Sequence, residues 1–375
     1  MAIFNVVPNK SYGGIQQVAK NINDSLEREG FISETFFYLD SENLFHSDFK
    51  NKNKLMKWIE IFKQSQRFFL DKKIDAIIIH NPAAIFLIPP SLFNRVIYVL
   101  HGPIIPKGVF QGYRILQRLI LNFFSCLFSK KIICVSSGLS NEIPKFLKYK
   151  AKTIFNNPSD VFYLENQEKQ NFDYLKDANL IKLVQFGRLS QQKNQQFSLM
   201  VLNSIKKMGY KVQLCFIGSG EAEKLLYSEC RKLNLSFTNV NEKFCCDYDV
   251  VFCSPMKGLS WIRDYFDFAL FPSRYEGLPL AILECLTVNM PVISSDCDYG
   301  PKEIFDLTCQ ELDSEFAQRN LILLPKIVDG KDMADLWANT IVNSMNNKRI
   351  PGKVLSKQSL DINFKKSWQN IVKEM

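Results

Sequence analysis

Histidine is scarce in this sequence, and so are the cysteine arrangements that typically bind zinc. The 375 residues include three histidines and ten cysteines, with no Cys-x-x-Cys pair. Zinc sites draw three or four such ligands from characteristic spacings, so no zinc site is expected. Several cysteines instead lie within apolar, strand-like runs, as Cys134, Cys215 and Cys253 do. We therefore predict reduced cysteines in the core of a cytoplasmic protein.

Long apolar segments are also missing. The longest candidate, residues 83–100, is interrupted by Pro89-Pro90, Asn94 and Arg95, so no segment qualifies as a transmembrane helix. The first residues form a short apolar run without the basic segment that begins a signal peptide. No low-complexity segment argues for disorder, and 46% of the residues are hydrophobic. A chain of this length favours two globular domains.

The excess of positive charge is confined to the first part of the chain. Residues 1–160 contain 21 Lys and Arg against 12 Asp and Glu, which accounts for the whole net charge of +9. A basic domain favours an anionic membrane surface, a nucleic acid or a phosphorylated substrate, with a lysine-rich solvated surface as an equal alternative. No helix-turn-helix or aromatic-basic RNA motif is present, so no nucleic acid partner is expected.

Short apolar strands alternate with helical segments along the chain. This alternation predicts an α/β fold with doubly wound parallel sheets, whose ligands bind at the carboxyl ends of the strands. A polar segment of mixed charge at residues 161–180 reads as a linker. We predict an N-terminal domain over residues 1–160 and a C-terminal domain over residues 181–355, with a last helix over 356–375.

The most informative stretch is Arg-Tyr-Glu-Gly-Leu-Pro-Leu-Ala-Ile-Leu-Glu at residues 274–284, which lies between two apolar runs. Gly277 and Leu278 form a turn, and Pro279 fits the first position of the helix that follows. The free N–H groups of that first turn make an anion site, flanked by Glu276 on one side and by residue 284 on the other.

Glu276 and Glu284 are thus two carboxylates around a phosphate-sized positive pole. This arrangement suits a ligand with hydroxyl groups at both ends and phosphate between them. A nucleotide-sugar is such a ligand, whereas a loop acid and a solvated helix acid are the plain alternative.

Two cations follow the first strand of the predicted second domain. The strand at 181–186 leads into Gly187-Arg188-Leu189, and Lys193 comes five residues after the arginine. A guanidinium group can bind phosphate through two parallel hydrogen bonds, and a lysine adds a point charge. Together they could neutralise a leaving diphosphate, with two solvated loop cations as the alternative.

A glycine pair, Gly218 and Gly220, follows the strand at 211–217. A dinucleotide fingerprint needs a third glycine, which is missing, and Glu221 and Glu223 would repel a pyrophosphate. We therefore exclude an NAD or FAD site here.

In the first domain, Gly13-Gly14 lies between the first strand and a helix, where backbone N–H groups could approach a phosphate. His101 ends a buried strand on the predicted ligand side, and His80 occupies the analogous end of the previous strand as a weaker candidate. The apolar stripe of residues 112–129 predicts a core helix, with a helix facing a bilayer interface as the alternative.

Several of these motifs together resemble one family. Pro-Ser-x-x-Glu-Gly-x-Pro-x-x-x-x-Glu around Glu276 and Glu284 is similar to the Glu-x7-Glu motif of retaining glycosyltransferases of the GT-B fold, the large group 4 family. Gly-Arg-Leu-x-x-x-Lys-Asn, which contains Arg188 and Lys193, resembles the family's diphosphate-binding segment. The resemblance covers nearly the whole chain and implies two Rossmann-like domains facing a cleft, with the last helix returning to the first domain.

The resemblance also implies a reaction, the transfer of a hexose or N-acetylhexosamine from a nucleoside diphosphate sugar to a glycan hydroxyl with retained configuration. A UDP-sugar is the expected donor. Arg188, Lys193 and the N–H groups after Gly277 would stabilise the leaving phosphate, and neither a metal nor a cofactor would be needed. Glu276 would hold sugar hydroxyls and Glu284 the ribose.

The remaining family roles fall on glycines and on one histidine. His101 would contact the donor sugar, the Gly13-Gly14 loop would lie over the donor phosphates, and Gly218 would lie near the nucleotide. The segment 295–304 resembles members that extend bacterial surface glycans such as O-antigen or capsule on lipid carriers, which implies a lipid-linked acceptor at the inner face of the cytoplasmic membrane.

The sequence departs from the family pattern at two positions. Asn289 replaces a helix-ending glycine, and Cys253 replaces a glycine near the base.

Two other functions are compatible with this sequence. A nucleotide-sugar epimerase of the same fold would turn over its donor without an acceptor. A non-catalytic binding protein would keep the pocket but transfer nothing.

Overall fold

A computed structural model describes residues 1–9, 13–39, 54–105, 113–165, 180–239, 248–327, 331–345 and 354–375. The chain divides into two compact units, of which the first comprises Met1–Asn157 and Gln358–Met375 and the second Pro158–Lys357. Most of the predicted linker, residues 166–179, lies outside the described residues. Residues 158–165 belong to the second unit, where the Gly258 and Ser260 N–H groups donate to the carbonyls of Val161 and Phe162.

The first unit contains one parallel sheet of six strands in the order β2-β1-β3-β4-β5-β6. Its switch of strand order lies between β1 and β3. The elements are β1 (Ala2–Val7), α1 (Gly14–Glu27), β2 (Ile32–Phe37), α2 (Lys54–Asp71), β3 (Ala76–Ile79), β4 (Val96–Leu100), α3 (Tyr113–Phe128), β5 (Lys131–Cys134), α4 (Ser137–Ser140) and β6 (Ala151–Thr153).

The second unit contains a parallel sheet of seven strands in the order β13-β12-β11-β7-β8-β10-β9, with its switch point between β7 and β11. The elements are β7 (Ile181–Phe186), α5 (Gln195–Lys207), β8 (Val212–Ile217), α6 (Glu223–Lys232), β9 (Phe237–Asn239), β10 (Val250–Cys253), α7 (Ile262–Tyr265), β11 (Phe268–Phe271), α8 (Leu280–Thr287), β12 (Val292–Ser295), α9 (Pro301–Glu311), α10 (Ser314–Asn320), β13 (Leu321–Leu324) and α11 (Lys331–Ser344).

The central strands of both sheets are apolar along nearly their whole length, as expected of parallel strands covered on both faces. In the second unit, one continuous cluster that includes Leu183, Leu214, Leu270 and Trp337 forms the core beneath the sheet. All described cysteines are free thiols. The prediction of two parallel, Rossmann-like sheets is confirmed.

The last helix, α12 (Lys357–Lys373), lies in the first unit from Gln358 onward. Its apolar face includes Phe364 and Trp368, both buried. Beyond it, Glu374 forms ion pairs with Lys131 at 2.6 Å and Lys152 at 2.8 Å, which attach residue 374 to strands β5 and β6.

Helix α3 differs from the predicted core helix. Its buried positions are Asn122, Ser125 and Cys126, and the hydroxyl of Tyr98 donates to the Asn122 side chain at 2.6 Å. Much of its apolar stripe is exposed, to 60% at Leu116, 44% at Ile120 and 43% at Phe123. The core interpretation was therefore wrong, because Asn122, Ser125 and Cys126 are the buried positions rather than the apolar stripe.

Within the described ranges, no helix combines the length and the apolar character that crossing a membrane requires.

Candidate functional site

The switch point of the second sheet brings the Arg188 segment and the Glu276 segment side by side. Strand β7 pairs with β11 through Leu183 and Phe268, so the loops after these two strands leave the same edge. The Arg274 N–H donates to the carbonyl of Gln192 at 2.9 Å, and the Gln192 side chain donates to the carbonyl of Tyr275 at 3.0 Å. Ligands of open α/β sheets bind at such a crevice.

Lys193 and Glu276 meet directly in this crevice. The Lys193 ammonium donates to Glu276 Oε1 at 2.7 Å, and the Glu276 side chain is only 8% exposed. A carboxylate this buried is stable only with a paired charge or with hydrogen bonds, and Lys193 supplies both. Arg188 is exposed next to it, while its carbonyl accepts from the Gln195 side chain at 2.9 Å.

Glu284 lies in the middle of helix α8 and is also buried. One of its oxygens accepts the backbone N–H of Ser159 at 3.1 Å. Burial raises the pKa of Glu284 to about 7, whereas the Ser159 hydrogen bond and the charge of Lys193 act in the opposite direction. Near neutral pH this carboxyl group is therefore poised between its two protonation states.

The charge of Lys193 thus acts on both predicted carboxylates, through a direct ion pair with Glu276 and through space on Glu284. The side chain of Lys193 remains 21% exposed, so its ammonium is accessible to a ligand. Two carboxylates with a shared cation and a neighbouring arginine can bind hydroxyl groups and phosphate in one ligand.

The turn before α8 differs slightly from the prediction. Pro279 is the residue before the helix rather than its first residue, and its carbonyl accepts from Ile282 at 3.1 Å. Gly277 and Leu278 are buried against the loop after β12, where a Cβ at Gly300 would lie 2.7 Å from the Gly277 carbonyl oxygen. Gly300 also has a φ of +84°, so this close approach of two loops depends on glycine.

Asn289 follows helix α8 and ends it in the way that a glycine usually ends a helix. Asn289 adopts a left-handed φ of 57°, and the Met290 N–H donates to the Cys285 carbonyl at 2.9 Å. The Asn289 N–H donates to the Leu286 carbonyl at 3.4 Å, which completes a Schellman motif. Asparagine therefore replaces the family glycine without loss of the helix end.

Gly218 has a packing role in the structure. Its φ is +154°, and a Cβ there would lie 1.9 Å from the Gly187 carbonyl oxygen. The Gly187 N–H donates to the Ile217 carbonyl at 2.9 Å, and the Leu189 N–H to the Ser219 carbonyl at 3.0 Å. Gly218 therefore lets the loops after β7 and β8 approach, which positions Arg188; its contact with a nucleotide stays a prediction.

In the first unit, the predicted residues lie at the carboxyl edge of the other sheet. His101 follows β4 and is partly buried, and its Nε2 lies 2.8 Å from Nδ1 of His80. Burial lowers the pKa of His101 to about 4, so the imidazole is neutral at pH 7. Gly13 and Gly14 lie at the start of α1, where a Cβ at Gly14 would meet no atom within 4 Å.

Some residues of these sites carried no clear sequence signal. Ser159 acts through its backbone N–H, which any residue but proline could supply, and Gln192 links two loops whose proximity only the sheet order reveals. His80 did carry a signal, since it ends the strand next to that of His101. Among the described residues, no group of three or more His, Cys, Asp or Glu side chains is arranged to hold a metal ion.

Comparisons with known proteins bear on this geometry. Residues 181–325 match the family model described as glycosyl transferases group 1, and this range contains the whole Arg188–Glu284 site. An uncharacterized glycosyltransferase of Methanocaldococcus jannaschii is 25% identical over 89% of this chain and 88% of its own length. The capsular polysaccharide biosynthesis glycosyltransferase CapH of Staphylococcus aureus is 30% identical over 65% of this chain and 60% of its own.

The fold has solved counterparts. The Anabaena protein HepE, solved in complex with UDP-glucose, has a TM-score of 0.63 at 14% identity and covers 100% of this chain and 95% of its own. A likeness at this identity speaks for the fold alone, and it confirms the predicted GT-B class. With the match of residues 181–325 and the glycosyltransferase relatives, it follows that the chain is a glycosyltransferase.

Proposed function

We propose that the protein transfers a hexose or N-acetylhexosamine from a UDP-sugar to a hydroxyl group of a glycan acceptor, with retention of the anomeric configuration. The observation that carries this proposal is the position of Lys193, which pairs with the buried Glu276 and whose charge partly offsets the rise that burial causes in the pKa of Glu284. The UDP-glucose bound in the HepE structure supports the choice of nucleotide.

Each group of the crevice has a part in the proposed reaction. The bond between the anomeric carbon and the β-phosphate oxygen breaks, and negative charge develops on the leaving diphosphate. Arg188 and Lys193 stabilise that charge, an electrostatic contribution that acts mainly in the transition state. The acceptor oxygen forms the new bond on the same face of the sugar, and its proton passes to the leaving phosphate. Glu276 then orients sugar hydroxyl groups, and Glu284 binds the ribose.

The same cations argue that the transfer needs no metal ion and no cofactor. Arg188 and Lys193 supply the positive charge that a divalent cation would otherwise bring to a diphosphate. We therefore expect full activity in the presence of EDTA, measured as the release of UDP. Loss of activity that added magnesium or manganese restores would contradict this part of the proposal.

A donor screen tests the function as a whole. The protein is titrated with UDP-glucose, UDP-galactose, UDP-N-acetylglucosamine, UDP-N-acetylgalactosamine and GDP-mannose, with binding followed by saturation-transfer NMR. The donor that binds is then incubated with an acceptor panel, and the product's anomeric configuration is read by NMR. Epimerisation of the donor without acceptor would establish the epimerase alternative, and binding without any turnover would establish a non-catalytic protein.

For the acceptor, we propose a lipid-linked saccharide of surface polysaccharide synthesis, reached at an anionic membrane surface by the first unit. The exposed apolar side of α3, formed by Leu116, Leu119, Ile120 and Phe123, supports this choice. Because α3 is anchored by polar contacts on its other side, these apolar groups are left to solvent, as in helices that lie in a membrane interface.

Basic and aromatic groups continue this surface beyond the end of α3. Phe146 and Tyr149 are exposed to 63% and 81% in a short 3-10 helix that also carries three lysines. The ammonium of Lys150 donates to the carbonyls of Leu127 and Ser129, which fastens that turn to the end of α3. Aromatic side chains with neighbouring lysines favour the headgroup region of an anionic bilayer. The net charge of residues 1–160 is positive, which favours contact with anionic lipid.

Liposome sedimentation tests the membrane surface. We expect binding to vesicles with anionic lipid, weaker binding at high salt, and little binding to zwitterionic vesicles. Leu116→Gln should weaken binding about tenfold, since it removes one apolar side chain from the interface. Leu225→Gln is the matched control, because Leu225 is 51% exposed in the second unit and should have no effect. Equal binding of both variants would rule out the α3 surface.

A further inference from the structure

A continuous line of polar side chains crosses the interior of the first unit and ends at His101. His80 Nδ1 lies 2.8 Å from His101 Nε2, and His80 Nε2 lies 2.8 Å from Asn5 Oδ1. Asn5 Nδ2 donates to Asn23 Oδ1 at 2.5 Å, and Asn23 Nδ2 donates to the Thr35 hydroxyl at the same distance. Asn5 and His80, in the middle of this line, are buried, whereas Asn23, Thr35 and His101 are partly exposed.

The line fixes which nitrogen of each imidazole carries the proton. Because the Asn5 amide nitrogen donates to Asn23, the Asn5 oxygen faces His80 and accepts a hydrogen bond from the Nε2–H of His80. A neutral His80 protonated at Nε2 has a bare Nδ1, which accepts a hydrogen bond from the Nε2–H of His101. A neutral His101 protonated at Nε2 in turn has a bare Nδ1.

The geometry of the two rings agrees with this assignment. Their centroids are 5.1 Å apart and their planes differ by 23°. The 2.8 Å between the nitrogens plus one ring radius on each side accounts for this separation, so the rings meet edge to edge in a nearly common plane. That is the geometry of a direct N–H···N hydrogen bond along the lone-pair direction. Burial also lowers the pKa of His80 well below its usual value, which keeps this ring neutral.

The backbone on the other side of His101 is held as well. The guanidinium of Arg118 donates to the carbonyls of Pro103 and Ile104 at 3.0 and 2.9 Å. The Ile104 N–H donates to the Glu142 carboxylate at 2.5 Å. His101 is therefore fixed through its ring on one side and through the loop that follows it on the other.

We propose that His80 is a positioning residue, which holds His101 as the Nε2–H tautomer so that its bare Nδ1 accepts a hydrogen bond from a hydroxyl group of a sugar substrate bound at the carboxyl edge of the first sheet. This role rests on the proposed function, but the tautomer itself is a property of the free protein. A sugar hydroxyl can both donate and accept, so a fixed acceptor selects one hydroxyl orientation. The hydrogen bond made by one ring nitrogen of a histidine commonly sets which nitrogen carries the proton.

NMR of the full-length protein labelled with ¹⁵N-histidine tests the tautomer directly. The chain has only three histidines, so the imidazole spectrum is simple, and a His46→Gln variant identifies the third one, which lies outside the described residues. At neutral pH we expect His101 and His80 both to be neutral and protonated at Nε2. Protonation of His101 at Nδ1, or a doubly protonated His101 at that pH, would overturn the proposal. This outcome needs no measurement on a His80 or His101 variant.

Two variants of His80 test the consequence for transfer. In His80→Phe the acceptor for His101 is lost, so both His101 tautomers should appear and kcat for transfer should fall about 2- to 10-fold, the usual net worth of one hydrogen bond. In His80→Asn an amide oxygen takes the place of Nδ1, so the tautomer and most of kcat should return. The affinity for UDP should be unchanged in both variants, since a general loss of structure would lower it.

The failures of the two proposals can be told apart. Normal transfer in a folded His80→Phe variant, or no recovery in His80→Asn while its tautomer is restored, overturns the positioning role and leaves the proposed function standing. Absence of transfer by the wild-type protein with every donor overturns the proposed function, while the NMR measurement still decides whether His80 fixes His101.

Discussion

Replacement of Lys193 by alanine is expected to lower kcat for sugar transfer by about 10²- to 10³-fold, the usual cost of removing one group that stabilises transition-state charge. Lys193 donates to Glu276 at 2.7 Å and is the ion-pair partner of that carboxylate among the described residues. When a donor binds, the same ammonium can donate a hydrogen bond to the leaving diphosphate as well as to Glu276. The measurement is steady-state UDP release with a saturating donor.

The interpretation depends on separating this charge effect from a structural one. Lys193→Ala leaves Glu276 buried without its cation, which by itself destabilises the site. The double variant Lys193→Ala/Glu276→Gln removes that unpaired charge. We expect it to recover the stability lost in the single variant but not the transfer rate, because the cation for the diphosphate is still missing.

A matched control is available in the same unit. Lys206 forms an ion pair with Asp249 away from the switch point, and its side chain is 37% exposed. Lys206→Ala should leave the transfer rate unchanged, since exposed ion pairs contribute little. Near-normal turnover in a folded Lys193→Ala variant would contradict the diphosphate role. Arg188→Ala, which removes the neighbouring guanidinium, should reduce kcat in the same direction.

Much of this site could be predicted from local sequence. The segments around Arg188 and Glu276 each combine a strand, a turn and charged residues at fixed spacing, and those relations lie within a dozen residues. Asn289 is another local case, since a left-handed residue after a helix is a backbone requirement that asparagine can meet.

The parts that could not be predicted are contacts between distant segments. The pairing of Lys193 with Glu276 spans 83 residues, and the hydrogen bond from Ser159 to Glu284 spans 125. Periodicity in one helix also misleads when the neighbouring elements are unknown. The stripe of α3 predicted burial, yet Asn122 and Ser125 are the buried positions, because Asn122 accepts from Tyr98 in β4 and Ser125 donates to the carbonyl of Pro82 in a 3-10 helix.

Gly218 illustrates a third limit on what can be predicted from sequence. A glycine after a strand is compatible with contact to a phosphate and with close packing of two loops, and the sequence pattern is the same for both. The 1.9 Å distance from its hypothetical Cβ to the Gly187 carbonyl oxygen shows that packing alone requires glycine at this position.

Glu284 leads to the second large effect, a pH dependence of stability. Its pKa in the folded protein is about 7, above the ordinary value of 4.5, because the carboxyl group is buried. A raised carboxyl pKa means that the folded state holds the proton more tightly than the unfolded state does. The resulting stabilisation is complete below pH 4.5 and is lost as the pH rises through 7, with a total of about 3 kcal/mol.

Glu284→Gln should remove this dependence, since a glutamine keeps the shape and an acceptor for the Ser159 N–H but cannot ionise. We expect the free energy of unfolding of the wild-type protein to fall relative to that of the variant between pH 5 and pH 8, so that the variant is the more stable protein at pH 8. Urea unfolding followed by tryptophan fluorescence measures the difference, with Trp261 and Trp337 reporting on the second unit.

The control for this measurement is Glu315→Gln, because Glu315 is 64% exposed on α10 and forms only a surface ion pair with Arg319. Its pH profile should match that of the wild-type protein. A parallel pH profile for Glu284→Gln and wild type would contradict the raised pKa. The same variant should bind UDP more weakly above pH 7, since the ionised carboxylate is the stronger acceptor for ribose hydroxyl groups. Glu284 would then be a residue whose burial lowers stability at neutral pH while it serves the nucleotide site.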